Sequence, residues 1–274
     1  MTVILPHAVL LHASAATLLP SERHPAARPA RPARPVPPAP LSPALSKLLA
    51  RLPVQDDGEA LRQSLFHSGT HFNPDLLTSE AERRARLEGV HAALDRAESL
   101  VFLDTESTGG RNGRLIEVAL VETDVEQNVT GGLHFRCNPH RRSLAGARRV
   151  HGIQDCELEH CPEFAARADE LLEAVRGKTV VIHDRTMDLL WLNRELQAAR
   201  PGAPRFEDRC TVVDSFVLAR AIPSERRRNG LDALLEWYGL GARGGHHDAY
   251  GDAALLSRVF FELWWDLDEW LYGE

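Results

Sequence analysis

"SLVFLDTESTGGRNGRLIEVALVETD", Ser99 to Asp124, decides the fold. It opens on an apolar run, Leu100 to Leu103, that ends at once in two carboxylates, Asp104 and Glu106, followed by Ser107, Thr108, Gly109 and Gly110. The run has the length and composition of a buried strand, and Leu115 to Val121 supplies a second beyond the glycine-rich turn. Asp104 and Glu106 stand two apart, so on a strand their side chains share one face while Thr105 turns to the other. Two carboxylates about 4 Å apart repel by roughly 4 kcal/mol at an effective dielectric of about 20, unless a cation lies between them. A hard divalent metal is the natural tenant. A bare Asp-x-Glu at a strand end is equally the pattern of an N-capping acid, so the pair does not decide the chemistry alone.

Outward from this stretch, strands and helices alternate. A third strand is expected around Leu133 to Cys137. "FAARADELLEAVRG", Phe164 to Gly177, reads as a helix closed by its glycine; "TVVIH", Thr179 to His183, reads as a strand and Thr186 to Ala199 as a helix. "NGLDALLEWYGL" places Leu231, Leu234, Leu235 and Tyr238 at helical spacing. A last helix, Asp252 to about Trp264, carries Leu255, Leu256, Val259, Phe260 and Leu263 on one side. The aromatic, acidic tail "FFELWWDLDEWLYGE" reads as a helix that seals the core. Upstream, "SEAERRARLEGVHAALDRAESL" offers Ser79 as an N-cap and a stripe of Leu87, Val90, Ala93 and Leu94, a helix expected to pack on the domain that follows. The fold class is α/β, a sheet packed by helices.

At 274 residues and 43% hydrophobic, the chain suits one medium-sized domain plus an extra segment. Its formal net charge of -7 excludes a global basic field, so any grip on nucleic acid must be local or helped by a partner. Cys137, Cys156, Cys161 and Cys210 form no C-x-x-C pair, which fits a reducing, cytoplasmic setting. "MTVILPHAVLLHASAATLL" lacks a basic n-region and is broken by Pro6, His7 and His12, so it is not read as a signal peptide. No apolar run approaches the roughly 20 residues that a bilayer span needs, and no membrane is expected. "PSERHPAARPARPARPVPPAPLSPAL", Pro20 to Leu45, repeats Ala-Arg-Pro and reads as a stiff, partly polyproline II linker. Residues 1–45 are therefore expected to be disordered and 46–97 to form a helical extension.

Further acids follow the same pattern as the first pair. "VVIHDRTMDLLWL" ends an apolar strand and presents Asp188 as a helix begins, on the stripe with Trp191 and Leu192. "GGHHDAYGDAALL" presents His247 and, five positions on, Asp252 at the head of the last helix. Three segments thus each offer acid at the edge of an apolar element. A two-metal phosphodiester site needs carboxylates for ions about 3.5 to 4 Å apart and a base to deprotonate the attacking water. An imidazole accepts a proton near neutral pH.

These residues resemble a known family. "LDTESTG" is similar to the first motif of the DEDD exonucleases, "HDRTMD" to the second, and "HDAYGD" to the third in the histidine form that defines the DEDDh branch. "RRVHGI" and "CTVVDSFVLARAIPSERRRNGLDALLEWYGL" closely resemble the proofreading epsilon subunits of bacterial DNA polymerase III. The resemblance runs over residues 98 to 263. It implies a ribonuclease H-like exonuclease fold, a mixed central sheet flanked by helices, over residues 98–274. It implies Asp104, Glu106, Asp188 and Asp252 as ligands of two Mg²⁺ or Mn²⁺ ions. His247, which has the family spacing to Asp252 that His246 lacks, becomes the general base. Thr105, Ser107 and Thr108 would receive the 3′ end, and His151 would lie near the terminal nucleotide. The reaction implied is release of nucleoside monophosphates from single-stranded or frayed DNA 3′ ends, with a DNA polymerase subunit as a partner.

RNA as the substrate remains open at this level, because acceptance of a 2′-hydroxyl is a local contact. A different class also stays open, an inactive exonuclease-fold binding module. Little sequence follows the third motif, whereas a replicative epsilon extends further to bind its polymerase. An epsilon-like exonuclease is therefore expected rather than the replicative subunit itself.

The sequence departs from the family at Asp184, usually asparagine, at Met187, usually phenylalanine, and at Tyr250, usually leucine. "RRSLAGARR", Arg141 to Arg149, lacks an acid found in some relatives. Among weaker signals, Cys156, His160, Cys161 and His151 do not match the spacing of a structural zinc site. Arg226, Arg227 and Arg228 suit either a nucleic-acid backbone or a solvated turn. "RQSLFHS", Arg62 to Ser68, is similar to a sliding-clamp peptide, but its glutamine stands one place too close to Leu65 and Phe66, which favours local packing.

Overall fold

Ser99–Ser107 (β1) and Leu115–Asp124 (β2) pair antiparallel, from Ser99 opposite Asp124 to Glu106 opposite Glu117. Both apolar runs of the opening stretch are therefore strands, and each is buried over most of its length. The computed structural model describes residues 79–273. The proline-rich linker and the clamp-like peptide lie outside the described residues.

Val129–Arg136 (β3) pairs antiparallel on the far side of β2, and on the other side of β1 lie Thr179–Ile182 (β4) and Thr211–Asp214 (β5), both parallel. The order β3-β2-β1-β4-β5 makes a mixed five-stranded sheet. Helix Glu80–Leu94 (α1) precedes it, capped by Ser79 as expected. Ala145–His151 (α2), Asp155–Leu158 (α3) and Ala168–Ala174 (α4) connect β3 to β4, and Thr186–Ala199 (α5) connects β4 to β5. Ser215–Ala221 (α6), Leu231–Tyr238 (α7) and Ala249–Tyr272 (α8) complete the chain.

Strand alternation sends the residues of β1 into two cores. Leu100 and Phe102 face α8, where Phe260 meets Phe102 edge-on at 5.7 Å, and Leu87, Val90 and Leu94 of α1 join the same cluster. Val101 and Leu103 face the opposite layer, with Phe164, Leu171, Leu192 and Leu196. Truncating Phe102, which is fully buried, would cost about 3 to 5 kcal/mol. Helices thus cover both faces of the sheet, as the resemblance implied.

Several boundaries differ from the sequence reading. The third strand begins at Val129, not Leu133; its first four residues are exposed, so no apolar pattern marks them. The stretch Phe164 to Gly177 breaks into a 3₁₀ turn, Phe164–Ala166, and the short α4. The last helix starts at Ala249 because Asp248 caps it, accepting the Gly251 amide at 2.7 Å, and runs on to Tyr272. The fifth strand, absent from the sequence expectation, has only four residues, too few to show a period. No helix among the described residues is long and apolar enough to cross a membrane.

One feature of the sheet prepares a site. Strand β4 ends at Ile182, opposite Leu103, so β1 runs beyond it and Asp104 to Ser107 are bordered by β2 alone. The notch lies where β1 has an antiparallel neighbour on one side and a parallel one on the other. Crevices at the carboxyl ends of strands, where connections diverge, are where α/β sheets bind ligands.

Candidate active site

Asp104 and Glu106 project into this notch from the end of β1. Asp188, buried in the first turn of α5, approaches from the other face, and Thr105 donates its hydroxyl to Asp188 Oδ1 at 2.6 Å. Asp252, in the first turn of α8, is 4% exposed. Glu106, His247 and Asp252 present ligand atoms that all lie within 4.8 Å of one another. His247 sits in the loop before α8, half-buried, its N–H bonded to Val150 O of α2 at 2.9 Å.

The acids make ionisation costly for one another. Burial, then Asp188, Glu106 and Asp252, holds the Asp104 carboxyl well above the usual range. Burial, then Asp252, Glu117 and Asp188, pushes Glu106 up to about 8. Burial pushes Asp188 to about 7 against the bond from Thr105, and it raises Asp252 against Arg243 and His247. Four such carboxylates gathered in a crevice call for a cation. The donor set, hard oxygens with one imidazole, fits Mg²⁺ or Mn²⁺.

The chain brings one cation of its own. Arg243 Nη1 lies 2.7 Å from His247 Nδ1 and 2.7 Å from Asp252 Oδ2, while its Nε reaches Asp232 at 2.8 Å. Nothing in the sequence singled it out, since the contact depends on how the loop after α7 folds back.

Glu117 is a second residue the sequence reading passed over, although a charge inside the apolar run Leu115 to Val121 was its signal. It is 1% exposed and accepts from Arg136 Nε at 2.8 Å, pairs with His134 Nε2 at 3.1 Å, and accepts the Ala249 amide at 3.0 Å. Asp214 is a third: it caps α6 and also receives the amides of Asp184 and Arg185 at 3.3 Å, fixing the turn before Asp188.

The remaining candidates have local roles in the fold. Ser107 Oγ accepts the Gly109 amide at 3.2 Å. Thr108 is wholly buried, its Oγ1 accepting from Arg114 N, its N–H donating to Arg114 O and its carbonyl accepting from Leu144 N, each at 2.9 Å. His151, 4% exposed at the end of α2, accepts the Ile153 amide at Nδ1 and leaves its buried Nε2 unpartnered among the described residues.

The exonuclease family RNase_T matches residues 101–260, a span that holds all five catalytic candidates. The chain belongs to this exonuclease family. Among curated relatives, the DNA polymerase III subunit epsilon of Rickettsia felis is 34% identical over 168 residues, which is 60% of this chain and 72% of that one. The same subunit of Escherichia coli K12 is 33% identical over 172 residues, 60% and 70% of the respective chains. This is a 3′-5′ exonuclease of the epsilon type. Among solved structures, E. coli exonuclease I in complex with a dA16 oligonucleotide matches with a TM-score of 0.49 and 22% identity, covering 63% of this chain. Exonuclease I of Methylocaldum szegediense matches at 0.48 and 20%, covering 62%. The chain spans only 41% and 40% of those two proteins.

The exonuclease's departures from the family pattern have structural settings. Asp184 takes a left-handed conformation, φ 57, between β4 and α5, which aspartate and asparagine tolerate better than most residues. Tyr250 is exposed and sits 5.8 Å from the His134 ring. Arg226 does not face solvent: it is buried, donating to Tyr238 Oη at 2.6 Å, Asp266 Oδ2 at 2.7 Å and Ala219 O at 3.1 Å. Arg228 pairs with Glu236 on the surface.

Proposed function

We propose that this exonuclease removes nucleoside monophosphates from DNA 3′ ends, with Asp104, Glu106, Asp188 and Asp252 holding two divalent ions, Mg²⁺ or Mn²⁺, and His247 acting as general base. The observation that carries the reading is the cluster of Glu106, His247 and Asp252 within 4.8 Å, with the carboxyls of Asp104 and Asp188 raised beside it. Bound divalent ions would offset the acids' mutual repulsion, polarise the phosphodiester and lower the pKa of the attacking water.

The chain's own residues do the rest. His247 is half-buried, its Nδ1 3.5 Å from Asp252 Oδ2 and 2.7 Å from Arg243 Nη1, and these two groups set the orientation of its ring. It takes the proton as water attacks phosphorus. Thr105 holds Asp188 in place from behind. The backbone around Ser107 and Thr108 would receive the 3′ end, and His151, whose buried Nε2 has no partner among the described residues, would lie near the terminal nucleotide. A DNA polymerase as partner is suggested by the relatives, which are polymerase subunits by name, and a net charge of -7 suits an enzyme delivered to DNA by another protein.

The test uses matched 3′-labelled and 5′-labelled single strands of DNA and RNA with Mg²⁺, Mn²⁺ or EDTA. Stepwise shortening from the 3′ end should vanish with EDTA and with Asp104→Ala. His247→Ala should slow it by about a hundred- to ten-thousand-fold. Faster RNA than DNA turnover would reassign the substrate, and no cleavage under any metal would leave a binding module.

A further inference from the structure

The site's acids face a substrate that is itself a polyanion. Asp184 and Asp248, both exposed, add to Asp104, Glu106, Asp188 and Asp252 around the notch, and the whole chain is acidic. A strand held here needs cations from a neighbouring wall.

Helix α2 supplies one. A cavity of about 450 Å³ opens against it, lined by Ala145, Arg148, Arg149, Gly152, Gln154 and His246. It is a broad, open depression rather than an enclosed pocket, a shape that suits a strand passing over it. Arg148 is braced by Ser143 O at 3.0 Å and Asp155 at 3.5 Å. Arg149 is exposed and makes no ion pair among the described residues.

The cavity is built into the catalytic loop. The His247 amide hangs on Val150 O of α2, and the preceding residue, His246, lays its ring over Gly152. Gly152 ends α2 in the left-handed region at φ 72, and a Cβ there would come within 2.8 Å of the His246 ring. Neighbouring histidines therefore serve different walls: His247 faces Asp252, and His246 faces the cavity. The segment "RRSLAGARR" that departs from the family is this wall. With no acid in that segment, Arg149 keeps no ion pair among the described residues, while Arg148 is held at the rim by Ser143 O and Asp155.

We propose that this cavity is a second, phosphate-binding subsite, in which Arg148 and Arg149 hold a backbone phosphodiester of the single strand beyond the reacting nucleotide while His246 and Gln154 contact its base or sugar. The inference takes its ligand from the nuclease reading above.

Full-length wild type and Arg149→Glu are compared; Arg149 is exposed and makes no ion pair among the described residues, so folding is not at stake. A fluorescein-labelled dT16 strand is titrated by anisotropy in EDTA over a range of salt, and its KM is measured with Mn²⁺. Turnover of the p-nitrophenyl ester of thymidine 5′-monophosphate, which has no second phosphodiester, is followed alongside. Arg149→Glu should weaken strand binding and raise its KM by about tenfold. It should also make the logarithmic salt slope shallower by about 0.7, the share of one single-strand phosphate contact. Turnover of the small ester should not change. Strand affinity and KM within about twofold of wild type would overturn the subsite, as would an equal loss on the small ester. Inhibition by thymidine 5′-monophosphate that weakens in Arg149→Glu while strand KM holds would assign the cavity to released product instead. If wild type hydrolyses neither substrate, the nuclease reading fails, and the anisotropy comparison still decides the subsite.

Discussion

The Ala249 amide donates to Glu117 Oε2 at 3.0 Å, tying the middle of β2 to the first residue of the helix that carries Asp252. Glu117 lies opposite Glu106 in the strand register, so one short span links both ends of the acid cluster. Burial alone would raise its carboxyl, but the bonds from His134, Arg136 and Ala249 outweigh burial and hold it at about 2, below the ordinary 4.5. A depressed folded pKa stabilises the fold above the unfolded value, and the gain is lost as pH falls through the folded one. The contribution at neutral pH is on the order of 3 kcal/mol. Glu117→Gln should therefore lose about 1 to 3 kcal/mol in urea melts near neutral pH. Its deficit against wild type should shrink steadily as pH falls from about 5 toward about 2. A deficit independent of pH would mean the charge is not what stabilises this junction.

Thr105 is a buried hydroxyl whose one bond goes to a proposed metal ligand. Valine matches its shape and removes the donor, leaving Asp188 less ionised and less fixed. Outer-shell partners of this kind are typically worth about 10- to 100-fold in metal affinity or activity. Thr105→Val should show that loss in Mn²⁺ titrations with an unchanged KM for the strand. Full activity at low Mn²⁺ would remove Thr105 from the positioning of Asp188.

Arg243 places its guanidinium 2.7 Å from Asp252 Oδ2, so it opposes any divalent ion that uses the same carboxylate. A unit charge at about 4 Å is worth several kcal/mol at an effective dielectric of about 20. Arg243→Ala should tighten Mn²⁺ binding by at least about tenfold, read by calorimetry on the unreacted protein. Of its other partners, Asp232 is exposed and loses little, while His247 loses a contact at 2.7 Å, so the readout is metal affinity and not turnover. Weaker Mn²⁺ binding would mean that Arg243 orders Asp252 more than it repels the ion.

These contrasts separate what the amino-acid sequence carries locally from what only the fold brings together. Leu100 to Leu103 and Leu115 to Val121 were legible because both are buried on both faces and end in turn residues. The acids at strand and helix starts were legible because charge beside an apolar run is conspicuous. The start of β3 was not, because an edge strand has solvent on one side and Val129 to Gly132 need no apolar pattern. Strand β5 was too short for its period to be told from a helix start. Arg243 and Glu117 escaped for another reason. Their meaning lies in partners nine residues away across a loop or 132 residues away across the sheet, and local pattern carries neither distance.

Asp184 separates what the backbone needs from what the chemistry needs. Its φ of 57 and the bonds from its own amide and the next to Asp214 fix the turn that aims Asp188 into the notch. Asparagine supports the same conformation and removes a negative charge from beside Asp188, whose carboxyl Asp184 helps to raise. Asp184→Asn should keep stability within about 0.5 kcal/mol and lower the KM for single-stranded DNA severalfold. Asp184→Ala carries the strain of a left-handed β-carbon and should cost roughly 1 to 2 kcal/mol. If both variants melt alike, the turn does not need the left-handed residue. If Asp184→Asn raises KM, the extra acid serves the substrate rather than opposing it.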